Sequence, residues 1–258
     1  MSRAARVDLN ADVGEAFGAR RSGDDEPIFD HVTSANVACG FHAGDPAIIA
    51  ATLRAAREHN VAVGAHPSYP DNAGFGRRTV ELSADDLRQV IVYQIGAVDA
   101  LARSLGLHLV HVKPHGALYN DAARNAALAA TVAQAVADVD RNLILVGLAG
   151  SHLLAAGRAA GLRVAAEAFC DRVYEADGSL RSRSHPDALI SDPLAAARQA
   201  VDIAVHGRAT ARSGARVPID AQTLCVHGDS PDAVAVAAAV RAALAREGVE
   251  IVELQRLI

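Results

Sequence analysis

VDLNADVG, residues 7–14, is the stretch whose reading decides the fold. Side chains along an extended strand alternate between its two faces, so Asp8, Asn10 and Asp12 share one face while Val7, Leu9, Ala11 and Val13 share the other. A polar group left unsatisfied in a dry interior costs roughly 1–3 kcal/mol, and a charge costs more. The polar face must therefore line a wet cavity or be locked into a network.

The same parity recurs outward from this strand. His111, Lys113 and His115 share a face in HVKPHG (111–116), Gly64 and His66 share one in GAH (64–66), and Cys225, His227 and Asp229 share one in CVHGD (225–229). Glu167 has the inward parity in AAEAF (165–169). The chain alternates such β-branched runs with longer Ala/Leu-rich segments of helical period, the pattern of parallel strands joined by crossover helices. Strands are predicted at 7–13, 35–40, 61–66, 107–114, 143–149, 164–169 and 223–228, with VEIVEL (249–254) open as a short eighth. Asp45-Pro46, Asp192-Pro193 and Ser230-Pro231 mark helix starts, and Ser83 with Asp86 forms a capping box for a helix that Gly106 ends. Gly161, Gly207 and Gly248 are expected where further helices stop. The expectation is one α/β domain over 1–258, a β/α barrel, with polar groups gathered where the C-terminal strand ends meet.

Composition narrows the function. The 258 residues carry a formal net charge of -5 and no basic run interleaved with aromatics, which disfavours nucleic acid as a partner. Cys39, Cys170 and Cys225 are odd in number and far apart, so neither a disulfide framework nor a thiolate metal site is indicated. No run reaches the ~18 apolar residues of a membrane span, and the N-terminus turns acidic before a leader could form, so a cytoplasmic protein is expected. Neither a Walker motif nor GxGxxG is present.

Lys113 is the leading catalytic candidate, because a lysine within an apolar strand is seldom buried without a partner. Asp12, His66, His115 and Asp229 join it, each beside a structural alternative in which it only satisfies a buried network. Asn10, His42, Glu167 and His227 are candidates for substrate contact. SYPDNAGFGRR (68–78) reads as a loop whose Arg77 or Arg78 holds a carboxylate or phosphate. FHAGDP (41–46) leads into a helix N-terminus, a place suited to an anion. Asp12, His42 and His66 have the chemistry of a divalent-metal site, although their spacing is no standard motif. Residues 171–191 form the longest irregular polar stretch, expected as a lid or binding loop.

Together, DLNADVGEAFG (8–18), SANVACGFHAGDP (34–46), VAVGAHPSYPDNAGFGRR (61–78), YQIGAV (93–98), VKPHGALYN (112–120), EAFCDRVYEADGSLRSR (167–183) and CVHGD (225–229) resemble the LamB/YcsF family. Ala16, Ser68 and Cys170 depart from its pattern, standing where Gly, Gly and Ala are expected. The resemblance implies a distorted seven-stranded TIM-like barrel of the glycoside hydrolase/deacetylase kind. It also implies the role of the A component of an ATP-dependent 5-oxoprolinase, with partner subunits B and C, ATP as co-substrate and 5-oxoproline as substrate. The stretches that carry it add Asn36 and Arg172 to the substrate-binding set. On this reading Lys113 stabilises an oxyanion or phosphate, and His115 with Asp12 or Asp229 is the general base. A bound divalent metal and a homo-oligomer stay open. The competing readings are a stand-alone metal-dependent amidohydrolase or carbohydrate deacetylase, which needs no ATP, and a non-catalytic binding protein within the complex.

Overall fold

The alternation in residues 7–13 is realised as a strand with two unlike faces. The computed structural model describes residues 5–16, 26–228 and 232–258. Strands β1 (Arg6–Val13), β2 (Ser34–Ala38), β3 (Ala62–His66), β4 (Leu109–Val112), β5 (Ile144–Leu148), β6 (Arg163–Phe169) and β9 (Thr223–Val226) pair in parallel in that order. β1 also pairs with β9, which closes a seven-stranded barrel. Two short antiparallel strands, β7 (Arg208–Thr210) and β8 (Arg216–Pro218), form a separate ribbon. The open question at 249–254 resolves as β10 (Glu250–Ile251), which pairs with the start of β1 below the closed ring.

Helices α1 (Pro46–Glu58), α2 (Ala84–Ser104), α3 (Gly116–Arg124), α4 (Ala126–Val139), α5 (His152–Ala159), α6 (Pro193–His206) and α7 (Ala233–Arg246) follow the strands. Asp45 caps α1 by accepting from the amides of Ala47 and Ile48, with Pro46 at the first helical position. Asp192 does the same for α6. Ser83 accepts from the Asp86 amide at the start of α2, and Gly106 follows its end with a φ of +76°. The Ser230-Pro231 start lies outside the described residues.

Leu9, Ala11 and Val13 face outward into a large apolar cluster shared with Leu53, Ile91, Val132 and Val240 of the helices. The inner face differs. Ile144, Val146 and Ala165 make a small apolar cluster with Leu254. Above Ala165 by one inward step stands Glu167, and from there the interior is polar.

Candidate active site

Strand register sets the inner polar layer. Asp12 pairs with Asn36, Asn36 with Gly64, and Gly64 with His111, so four adjacent strands contribute one row. Gly64 is required: a Cβ there would sit 2.3 Å from the His111 ring. That vacancy lets His111 Nε2 donate to Asn36 Oδ1 at 2.7 Å, and Asn36 Nδ2 in turn donates to Asp12 Oδ1 at 2.7 Å.

Lys113, only 2% exposed, lies at the centre. Its ammonium donates to Asp12 Oδ1 at 2.9 Å and contacts Glu167 Oε1 at 2.8 Å and Cys225 Sγ at 3.1 Å. Glu167 also accepts from Asn10 Nδ2 at 3.0 Å and Tyr119 OH at 2.7 Å, and is fully buried. Burial works against the charge on Lys113, but Asp12, Cys225 and Glu167 together raise its pKa well above the ordinary value. Burial likewise opposes ionisation of Asp12, and the Lys113 ammonium, the largest opposing cause, holds the carboxyl well below its usual range. The Asp12 carboxylate and the Lys113 ammonium thus keep each other ionised in a place where burial alone would favour the neutral forms. Deeper still, Asp8 accepts from Ser34, Thr223 and Thr33 hydroxyls, and burial pushes its pKa up to about 6.

Beside Asp12 stand two histidines whose tautomers are set by backbone carbonyls. His66 Nδ1 donates to the Lys113 carbonyl at 2.7 Å, and His115 Nε2 donates to the Phe75 carbonyl at 2.9 Å. In the neutral rings, His66 Nε2 and His115 Nδ1 are therefore bare, and they face each other at 3.0 Å. Glu15 Oε1 lies 3.4 Å from His115 Nδ1, and Asp12 Oδ2 lies 3.5 Å from His66 Nε2. Four lone-pair donors converge, one from each of Asp12, Glu15, His66 and His115, all within 4.8 Å of one another. Histidines with the second N–H tied to a carbonyl are oriented as metal ligands usually are, and two nitrogens with two carboxylate oxygens suit a borderline divalent cation. These residues could hold a metal. His42 is not one of the four: it stacks on His115 at 3.8 Å between centroids, and its Nε2 meets Glu15 Oε1 at 3.3 Å, so it orients the acid from behind.

A second acid–base pair comes from strand ends β6 and β9. His227 Nδ1 donates to Asp171 at 2.9 Å, and Asp171 also accepts from the His227 amide at 2.9 Å. His227 stacks on Phe169 with centroids 5.3 Å apart. A ring nitrogen of His227 lies within 4.8 Å of Cys225 Sγ and a carboxylate oxygen of Asp12. Burial tends to raise the Asp171 pKa, but His227 lowers it below the ordinary value.

Asp12, Glu15, His66, Lys113, His115 and His227 line one cavity of about 490 Å³. Among the other candidates, Arg77 and Arg172 also line it, whereas Asn10, Asn36, His42 and Glu167 are buried around its floor and sides. The two adjacent arginines part company. Arg77 lies over the Phe75 ring at 4.7 Å and reaches the cavity, while Arg78 is mostly exposed and paired with Asp71, which organises loop 68–78. Asp229 lies outside the described residues. Sequence reasoning left Glu15 and Asp171 out of the site. Their signals were a carboxylate just past Gly14, whose φ is +70°, and a carboxylate two residues past the last inward position of β6. Residues 180–184 of the polar stretch form one wall of the cavity; the stretch folds on itself through a bridge from Tyr174 to Leu180 and joins the body through one from Tyr174 to Ala211.

Fold and site together define a seven-stranded parallel β/α barrel with a buried lysine–carboxylate centre and two histidine systems at its mouth. Residues 7–258 match the family model described as LamB/YcsF family, and the chain belongs to that family. It is 53% identical over 251 residues to the A component of 5-oxoprolinase from Methylococcus capsulatus, covering 97% of this chain and 96% of that one. Among solved structures it is similar to the lactam utilization protein from Thermus thermophilus, with a TM-score of 0.89, 48% identity and coverage of 96% and 99% of the two chains. A putative cellobiose-phosphate cleavage protein from Enterococcus faecalis shares the fold at a TM-score of 0.57 and 15% identity, covering 99% of each chain. No described helix is long and apolar enough to cross a membrane.

Proposed function

We propose that this chain is the A component of a cytoplasmic 5-oxoprolinase, which opens the lactam of 5-oxo-L-proline to L-glutamate with ATP as co-substrate and subunits B and C as partners. The names of its relatives support the reaction. The observation that carries the reading is that two proton-transfer groups meet in one cavity: His227, backed by Asp171 outside the lining, and the Asp12–Glu15–His66–His115 cluster. Hydrolysis of an amide needs both: one group to take a proton from water, another to give one to the departing nitrogen.

A five-membered lactam is an unstrained amide, and coupling to ATP activates it. The lactam oxygen takes the γ-phosphoryl group, ADP leaves and the ring nitrogen loses its proton. Water then adds to the ring carbon, the C–N bond breaks as the nitrogen is protonated, and an acyl phosphate with a free amine results. A second water cleaves that species to glutamate and phosphate. The sequence carries no nucleotide fingerprint, so the phosphoryl transfer is assigned to the partners and the ring opening to this chain.

Here His227, with Nδ1–H given to Asp171, exchanges a proton at Nε2 with the ring nitrogen. The carboxylates of Asp12 and Glu15 and the bare nitrogens of His66 and His115 orient and deprotonate water. Lys113, its ammonium engaged by Asp12 and Glu167, positions Asp12 and keeps it ionised. A divalent cation held by Asp12, Glu15, His66 and His115 would supply Lewis-acid polarisation and a lowered pKa for water. A metal-dependent amidohydrolase that acts without ATP would use the same four residues, but the names of the relatives favour 5-oxoprolinase.

Glutamate release from 5-oxoproline, measured with and without ATP and with and without subunits B and C, separates the readings. The proposal expects turnover only when ATP and all three components are present. Turnover by this chain alone without ATP would favour the amidohydrolase. Metal analysis before and after chelation tests the cation.

A further inference from the structure

We propose that the wall formed by Arg172 and residues 180–184 is a phosphoryl-binding subsite, built on Arg172 and Arg183, through which this chain selects the phosphorylated lactam over the free one. The inference rests on the ring-opening reading above and deepens it by naming the form of substrate the cavity takes.

The charge distribution is the first observation. The chain carries a net -5, yet Arg77, Arg124, Arg172, Arg181 and Arg183 all line this one cavity in addition to Lys113. Among the described residues the lining carboxylates are Asp12, Glu15 and Asp121, and Lys113 already neutralises the first. Arg181 is committed as well, to Glu175 at 2.9 Å and to Asp187 at 2.7 Å. Among the described residues that line the cavity, guanidinium groups outnumber carboxylates.

The second observation is Arg172 itself. It is 5% exposed, and its Nη2 donates to the Arg181 carbonyl at 2.6 Å. Its Nε, also buried, has no hydrogen-bond partner among the described residues. Burial, with Arg183 next, lowers the Arg172 pKa to about 10, so a second cation acts on it in a poorly solvated place. Asp171, the neighbouring carboxylate, partly offsets this for both arginines, but its hydrogen bonds go to the ring and amide of His227.

A buried guanidinium with an unmet donor and a like charge nearby is a costly arrangement for the chain alone. An anion with several acceptor oxygens removes both penalties at once. Free 5-oxoproline offers a single carboxylate, which one bidentate arginine can hold. Phosphate presents more oxygens and about twice the charge, and a planar guanidinium fork is the side chain best matched to it. The hydroxyls of Ser182 and Ser184, 2.9 Å apart on the same wall, add donors of the kind phosphate accepts. Arg77, which lines the cavity from loop 68–78, is then the residue for the substrate carboxylate.

The test uses the full chain and inorganic phosphate at constant ionic strength, with binding read by calorimetry and by the shift in Tm. Phosphate is expected to bind saturably to wild type. Arg183→Ala and Arg172→Lys should each weaken it at least tenfold, and Arg158→Ala, on the outer helix α5, should leave it unchanged. In the reconstituted complex, Arg183→Ala should raise the ADP formed per glutamate several-fold, an uncoupling that a general loss of stability does not produce. Absence of saturable phosphate binding, or equal binding by wild type and both subsite variants, overturns the proposal. Phosphate binding as expected in a complex that makes no glutamate would instead refute the ring-opening reading and leave the subsite standing.

Discussion

The two faces of the barrel sheet follow opposite rules. On the outer face, Leu9, Ala11 and Val13 are buried against helices in an apolar cluster of the usual kind. On the inner face of the same strand, Asp8, Asn10 and Asp12 are just as buried, yet each is held by named polar partners. Parallel barrels generally fill their interior with branched apolar side chains. Here, among the described residues, the Ile144–Val146–Ala165–Leu254 cluster does so at one end, and above it lies a charge network beneath a cavity. The outer face holds the fold together, and the inner face is tolerated because its groups satisfy one another.

Removing one member of the inner network should therefore be at least as damaging as removing a core side chain. Lys113→Ala leaves Asp12 and Glu167 buried without their cation, and a loss of about 3–5 kcal/mol is expected, measurable by urea denaturation. Lys113→Met, which fills the space but not the charge, should recover little of it. Leu9→Ala, on the outer face of the same strand, should cost about 2–4 kcal/mol while leaving turnover per folded molecule unchanged.

Asp8 sharpens the comparison through pH. Its folded pKa near 6 lies above the ordinary carboxylate value of 3.8, so the folded state keeps a proton that the unfolded chain has released. That stabilisation is complete below about pH 4 and is lost as pH rises through about 6, amounting to about 3 kcal/mol across the window. Asp8→Asn should flatten this part of the stability profile, read as Tm at pH 4.5 and 7.5. An unaltered slope would mean that Asp8 is not the group responsible. The smallest effect on stability is expected at Asp171→Asn, about 1 kcal/mol for one weakened charge-assisted pair. Its turnover should nevertheless fall about 10²-fold or more, because His227 loses the group that fixes its tautomer.

Much of this division was legible in the sequence. Period-two alternation in 7–13, 111–115 and 225–227 reveals which side chains face inward, because parity follows from backbone geometry and not from context. Helix starts at Asp45 and Asp192 were equally plain, since the cap is a local device. What parity does not convey is depth along the barrel axis: Asp8 and Asp12 share a face, yet only Asp12 reaches the cavity. Nor does it extend past the strand ends. Glu15 and Asp171 enter the site through turns, and the choice between Arg77 and Arg78 depends on Asp71 engaging one of them seven residues along the chain.

The central claim is that the buried acid–base groups of the inner face carry out ring opening while the activating step is done elsewhere. His227→Gln, confirmed as folded by its Tm and circular dichroism, tests it directly in the reconstituted complex. Glutamate formation from 5-oxoproline should drop at least 100-fold while 5-oxoproline-dependent ADP release persists. Glutamate formation within a few-fold of wild type would contradict the account.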